Sequence, residues 1–158
     1  MMNIKPLNPH QRANARDPHS TRLTAGGGHY IGLLMREGTL KMSSENIPHL
    51  AKDEEEAFEL REKIIGAVKE HGKTLVEVDE VMMDKEIYAS INEIEYNGKK
   101  HYVVMHDFLD PGVYWGFTAT VCSSLEEAIK EYNMAIDYLI NEVRNVLTAG
   151  KWDDKTRK

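Results

Sequence analysis

The residues with the clearest binding character gather around one turn. Asn97-Gly98 is the favoured two-residue type I′ pair, and it joins the runs 87–96 and 99–108 as a hairpin. A hairpin closed there sets Ile91 opposite Val104, Ala89 opposite His106 and Ile87 opposite Phe108. Strand alternation sends these apolar residues to one face, and Tyr88, Asn92, His101 and Asp107 to the other. The run 113–121 alternates as well: Val113, Trp115, Phe117, Ala119 and Val121 read as inward, Tyr114, Thr118 and Thr120 as outward. Hydroxyls, an amide, an imidazole and a carboxylate on a rigid sheet can hold a small polar ligand. The candidate ligand set is therefore Tyr88, Asn92, His101, Asp107, Tyr114, Thr118 and Thr120.

Other reactive residue types do not assemble into a site. His101 and His106 are five apart on one strand, so they point to opposite faces and cannot share a metal. His106, on the apolar face, reads as a hydrogen-bonded core histidine. Cys122 has no basic neighbour to activate its thiol. His19-Ser-Thr21 is a single His-x-Thr element, whereas phosphodiester chemistry of that type needs two facing copies. Gly26-Gly27-Gly28 is followed by a strand-like run, not by a helix whose N-terminus could cradle phosphate. No nucleophile, base and orienting group come together, so no catalytic residue, metal or cofactor is expected.

The segment Ser124-Leu-Glu-Glu-Ala-Ile-Lys-Glu-Tyr-Asn-Met-Ala135, placed after a strand, is similar to the helix start of AP2-type DNA-binding modules and, more loosely, to antitoxins of the HicB type. The likeness covers twelve residues and implies DNA reading by the strands before it. Those strands offer only Lys99 and Lys100 near the turn. Docking on a duplex needs several cations to fix position on phosphate, so the likeness rests on capping chemistry alone.

Charge is distributed unevenly. The net charge is −6, yet residues 1–28 hold Lys5, Arg12, Arg16 and Arg22 against Asp17. The last ten residues hold Lys151, Lys155, Arg157 and Lys158 against two acids. The body between them is strongly acidic, which repels nucleic acid over most of the surface and leaves the basic ends as the parts suited to an acidic partner. Seven histidines make the balance pH-sensitive. With 41% apolar and 29% charged residues the composition is that of a soluble globular protein, and no apolar run approaches the ~18 residues of a membrane span. The first twenty residues lack the apolar core of a signal peptide. A lone cysteine excludes intrachain disulfides, and a reducing, cytoplasmic setting is expected.

These residues need elements to hold them. Pro6, Pro9 and Pro18 with Gly26-Gly27-Gly28 mark 1–28 as an extended basic arm with a hinge, anchored by Leu7 and Leu23. Residues 29–150 form a single α+β domain and 151–158 a basic tail. Within the domain, 29–36 reads as a strand, paired through Glu37-Gly38 with a second at 39–43. A capped helix runs from Asp53 to His71, a short strand covers 74–78, and an irregular stretch 79–86 precedes the hairpin. Ser124 and Glu127 cap a long helix ending at Gly150. The expected fold is an antiparallel sheet of five or six strands with two amphipathic helices on one face. The expected function is that of a non-catalytic, self-associating interaction protein. It docks on a protein partner through its arm (Leu7, Arg12, Arg16, Arg22, Leu23) and acidic body, in the manner of a viral or phage accessory protein that inhibits or assembles. Two alternatives stand beside it: a small-ligand binder (or unrecognised enzyme) using the outward sheet face, and nucleic-acid binding through the termini.

Overall fold

The computed structural model describes the backbone over residues 20–156 and side chains over 27–145 and at 148. Its elements are α1 (Ser20–Glu37), β1 (Thr39–Ser43), α2 (Glu54–His71), β2 (Lys73–Met82), β3 (Lys85–Tyr96), β4 (Lys99–Asp110), β5 (Tyr114–Cys122) and α3 (Leu125–Thr156). The strands form one antiparallel sheet in the order β1-β5-β4-β3-β2. This is the expected α+β class with five strands. Among the described residues, however, the helices number three and cover both faces.

The hairpin of β3 and β4 forms as its turn dictates. Asn97 and Gly98 take positive φ of 53° and 76°, and Ile91 faces Val104 as Ile87 faces Phe108. A second tight hairpin corrects the irregular reading of 79–86. Met83 and Asp84 take φ of 51° and 70°, so β2 runs unbroken in pairing to Met82, apart from a bulge at Leu75.

The run 29–36 is helical, not a strand. Short apolar runs fit either element, and here the spacing of Gly27, Ile31 and Leu34 turns one stripe of α1 onto α2 and the sheet. The helices approach closely on that stripe: a Cβ at position 27 would stand 2.6 Å from the His71 ring, which would have to turn aside. The presumed hinge is thus the close contact between two helices, and residues 20–28 of the expected arm belong to α1. Residues 1–19 lie outside the described residues. Gly38, at φ 77°, ends α1, and its N–H donates to the Leu34 carbonyl. The chain then enters β1, whose partner is β5 instead of the preceding segment.

Asp53 accepts from the Glu56 N–H at 2.8 Å and starts α2, while Ser124 accepts from the Glu127 N–H and starts α3. Both caps are as expected. α3 does not stop at Gly150 but continues to Thr156, taking in most of the expected tail.

The sheet separates two cores. Leu34, Leu40, Met42, Ile64, Ile65, Val68, Val103, Met105 and Phe117 lie under α1 and α2. Ile87, Ala89, Ile91, Val104, Phe108, Ala128 and Leu139 lie under α3. At roughly 1.5–3 kcal/mol per fully buried large apolar side chain, both layers contribute heavily to stability.

Candidate functional site

The seven predicted ligand residues do not share a face. Across β4 and β5, Asp107 stands opposite Phe117 and His106 opposite Thr118, so Thr118 and Thr120 lie on the side of His106. Tyr88, Asn92, Asp107 and His101 lie on the other side, toward α1 and α2. Three of these four are buried there. Thr74 Oγ1 donates to Asn92 Oδ1 at 2.7 Å, Asn92 Nδ2 donates to Ser90 Oγ at 2.9 Å, and the Tyr88 hydroxyl donates to the same oxygen. Arg61 closes over Asp107. These polar groups pair with one another beneath α2, except that Asp107 Oδ1 has no hydrogen-bond partner among the described residues, and they are shut off from ligand. The expected single outward face is corrected for that reason: both faces are covered by helices.

The remaining three, Tyr114, Thr118 and Thr120, sit where cover is incomplete. α3 lies mainly over β3 and β4, and leaves the adjoining surface of β5 and β1 open beside it. The result is a cleft of about 570 Å³. Strand register lays its floor in rows: Lys41, Thr118 and His106 in one, Thr39, Thr120 and Val104 in the next, Ser43 and Gly116 in a third. α3 supplies the wall with Glu131, Met134, Ala135 and Tyr138.

One end of the cleft is shaped by two tyrosines. A Cβ on residue 116 would lie 2.7 Å from the Tyr114 hydroxyl oxygen, so only glycine lets that ring fold over the floor. Tyr114 then shares a hydrogen bond with Tyr138, whose ring meets His106 edge-on at 5.6 Å between centroids. Burial, with the Glu142 charge and Tyr114 adding to it, pushes the Tyr138 phenol up to about 12. Burial also holds His106 below its ordinary value, Asp107 opposes the shift, and Lys41 reinforces it. The cleft therefore offers Lys41, Glu131, an imidazole kept uncharged at neutral pH, two tyrosine hydroxyls and three threonine hydroxyls. Among the described residues no hydrogen-bond partner reaches Thr118, Thr120 or the His106 ring.

Lys41, Thr39, Glu131 and Tyr138 were not candidates in the sequence, and His106 was assigned to a core. A signal was present. Thr39, Lys41 and Ser43 alternate with buried Leu40 and Met42, but only the pairing of β1 with β5 joins that polar row to Thr118 and Thr120. Cys122 is buried and its thiol is raised to about 11, first by burial and then by Glu127 and Glu131, in keeping with an unactivated thiol.

Leu7, Arg12 and Arg16, expected to contact a partner, lie outside the described residues. The backbone of Arg22 and Leu23 belongs to α1. Among the described residues no cluster of three His, Cys, Asp or Glu could hold a metal ion, and no helix is long and apolar enough to cross a membrane.

No protein family matches the sequence, and no match was found among curated proteins or among solved structures.

Proposed function

We propose that the protein binds a small zwitterion or amino acid-like molecule in the cleft between α3 and the β1–β5 edge of the sheet. The observation that carries this reading is the convergence of Lys41 and the Thr118 and Thr120 hydroxyls on one floor, facing an aromatic and thioether wall of Tyr138 and Met134. An ammonium flanked by hydroxyl donors favours a carboxylate. Glu131, on the helix that walls the cleft, favours an amine or another donor elsewhere on the same ligand. Met134 and the tyrosine rings suit an apolar or aromatic body between the two. A cleft of this volume lies within the ordinary range for small-molecule sites.

Thermal unfolding with aliphatic and aromatic amino acids, their amides and the corresponding amines tests the reading. A zwitterion present at a hundred times its Kd would add about 2.7 kcal/mol of stability. Its amide would add far less, and Lys41→Met or Thr118→Val would remove the gain without lowering the melting point of the free protein. A panel in which no zwitterion raises the melting point overturns the proposal.

A second reading, docking of a macromolecular partner or another copy through the basic N-terminal residues, is favoured by one observation: an acidic strand, β2, is the last strand of the sheet among the described residues.

A further inference from the structure

The cleft opens onto a strand edge whose backbone is unpaired. Among the described residues β1 ends the sheet on that side, with β5 as its neighbour. Two bonds fix the phase of the ladder: the Val121 N–H donates to the Gly38 carbonyl at 2.8 Å, and the Ser44 N–H to the Trp115 carbonyl at 2.9 Å. Bonding alternates along an antiparallel ladder, so Leu40 and Met42 turn their backbone groups toward β5. Thr39 and Lys41 turn theirs out of the sheet. Among the described residues no hydrogen bond reaches those two N–H and two carbonyl groups. The edge stops at Ser43, which exchanges bonds of 3.2 Å with Asn46.

The same two residues face the cleft with their side chains. Thr39 and Lys41 are exposed, while Leu40 and Met42 are buried toward α1 and α2. The two residues of a hydrogen-bonded antiparallel pair carry their side chains to one face. Residues of an added strand opposite Lys41 and Thr39 therefore enter the cleft, and the residue between them lies beside Leu40. Leu40 and Met42 are each less than 5% exposed, so that side is already filled and leaves room only for a small residue.

Charge selects the other two. α3 runs from Cys122 and Val104, where Ala128 packs, toward Phe108 and Ile87, where Leu139 packs. Tyr138 meets His106, in the row of Lys41 and Thr118, so Glu131, two turns earlier, lies nearer the row of Thr39 and Thr120. Among the described residues neither Lys41 nor Glu131 has an ion-pair partner. An acidic side chain opposite Lys41 and a basic one opposite Thr39 answer both charges. A strand antiparallel to β1 meets Lys41 first, so the order along it is acid, small residue, base.

We propose that an extended peptide segment with this order adds to β1 as a further antiparallel strand. Backbone bonds to Thr39 and Lys41 hold it, and its two charged side chains occupy the cleft. The proposal rests on the cleft reading above for the roles of Lys41 and Glu131, and extends the ligand from a free zwitterion to a peptide carrying both charges.

The probe is the pentapeptide acetyl-Ala-Glu-Ala-Lys-Ala-amide at millimolar concentration, followed by NMR on the full-length protein. At saturation the Thr39 and Lys41 amides are expected to exchange about tenfold more slowly, with those of Leu40 and Met42 unchanged. The same peptide N-methylated at its glutamate cannot donate to the Lys41 carbonyl and should bind about tenfold more weakly. So should acetyl-Ala-Lys-Ala-Glu-Ala-amide, which sets like charges together. Equal affinity for the plain and N-methylated peptides overturns the proposal, because side chains would then be held without the edge. Slow exchange of the Thr39 and Lys41 amides before any peptide is added overturns it too, because the edge would already be taken. A peptide that fails to bind while a free amino acid raises the melting point sinks the added strand and leaves the zwitterion reading standing. Binding of the peptide where every free amino acid fails supports the strand and sinks the free zwitterion alone.

Discussion

Arg61 of α2 and Asp107 of β4 meet with both partners out of water: Nε donates to Oδ2 at 3.0 Å, and each residue is less than 5% exposed. Burial alone would push the guanidinium down, but Asp107 and Glu62 outweigh it and hold it above its ordinary value. The Arg61 guanidinium carbon also lies 4.3 Å from the centre of the Phe58 ring. The pair ties the middle of α2 to the middle of the sheet. Arg61→Leu strands a carboxylate in the core and is expected to cost about 3–5 kcal/mol in urea unfolding. Arg61→Leu with Asp107→Leu should recover much of that loss. A double variant as unstable as the single one would show that the charge pair is not what holds α2 in place.

Gly72 illustrates a different constraint. Its φ of −124° is open to any residue, so conformation does not demand glycine. Space does. A Cβ there would lie 2.6 Å from Ile94 Cγ2, 2.7 Å from the Glu93 carbonyl oxygen and 2.9 Å from that of Val68. Two of these three are backbone and cannot rotate away. Gly72→Ala is expected to lower stability by about 1–3 kcal/mol as α2 and β3 are forced apart. A melting point unchanged from that of the natural protein would mean that the turn between α2 and β2 yields more easily than this packing implies.

The local chemistry of the chain was legible where a short pattern decides the outcome alone. Asn97-Gly98 set a register that the structure reproduces pair by pair, and Asp53 and Ser124 marked helix starts because a side-chain oxygen three residues before a free N–H has few other uses. Long-range partners were not legible. Tyr30 to Met35 is apolar at nearly every position, and only the neighbours, α2 above and Tyr96 beside Gly32, decide between helix and strand. The same holds for the site. Thr118 and Thr120 point away from Phe117 and Ala119 in any strand, but which face of β4 they join depends on Asp107 standing opposite Phe117. One step of register decides between a solvent face and a cleft. With 29–36 taken as a strand, the helices suffice for only one face of the sheet; as α1 the same residues cover the second.

Cys122 supplies a test of burial near the N-terminus of α3. Its side chain packs with Ile91, Val104 and Ala128, and the thiol is raised to about 11 by burial first and by Glu127 and Glu131 second. A thiol so placed is protonated at pH 8 and shielded from reagent. Ellman's reagent is expected to react with the native protein only at the rate of unfolding, and with the urea-unfolded protein within seconds. Prompt reaction in the native state would show that the start of α3 opens readily from the sheet.

His106 makes the stability of the domain depend on pH in a predictable direction. Burial lowers its value from 6.5, and of its charged neighbours Asp107 opposes the shift while Lys41 adds to it. Lys41, Glu131 and Tyr138 line the same cleft, and Asp107 projects from the opposite face of β4. Between the depressed value and 6.5 the unfolded chain binds a proton that the folded protein refuses, so stability rises with pH across that window and is complete above it. Each unit of difference is worth about 1.4 kcal/mol. Protonation puts a second cation on the floor beside Lys41, in a site whose aromatic wall cannot solvate it. Urea midpoints of the natural protein should fall as pH drops from 7 toward 5, and His106→Gln should remove part of that slope. Parallel pH curves for the two proteins would show that His106 charges as freely in the folded state as in the unfolded one, and that the floor of the cleft is wet enough to carry an imidazolium.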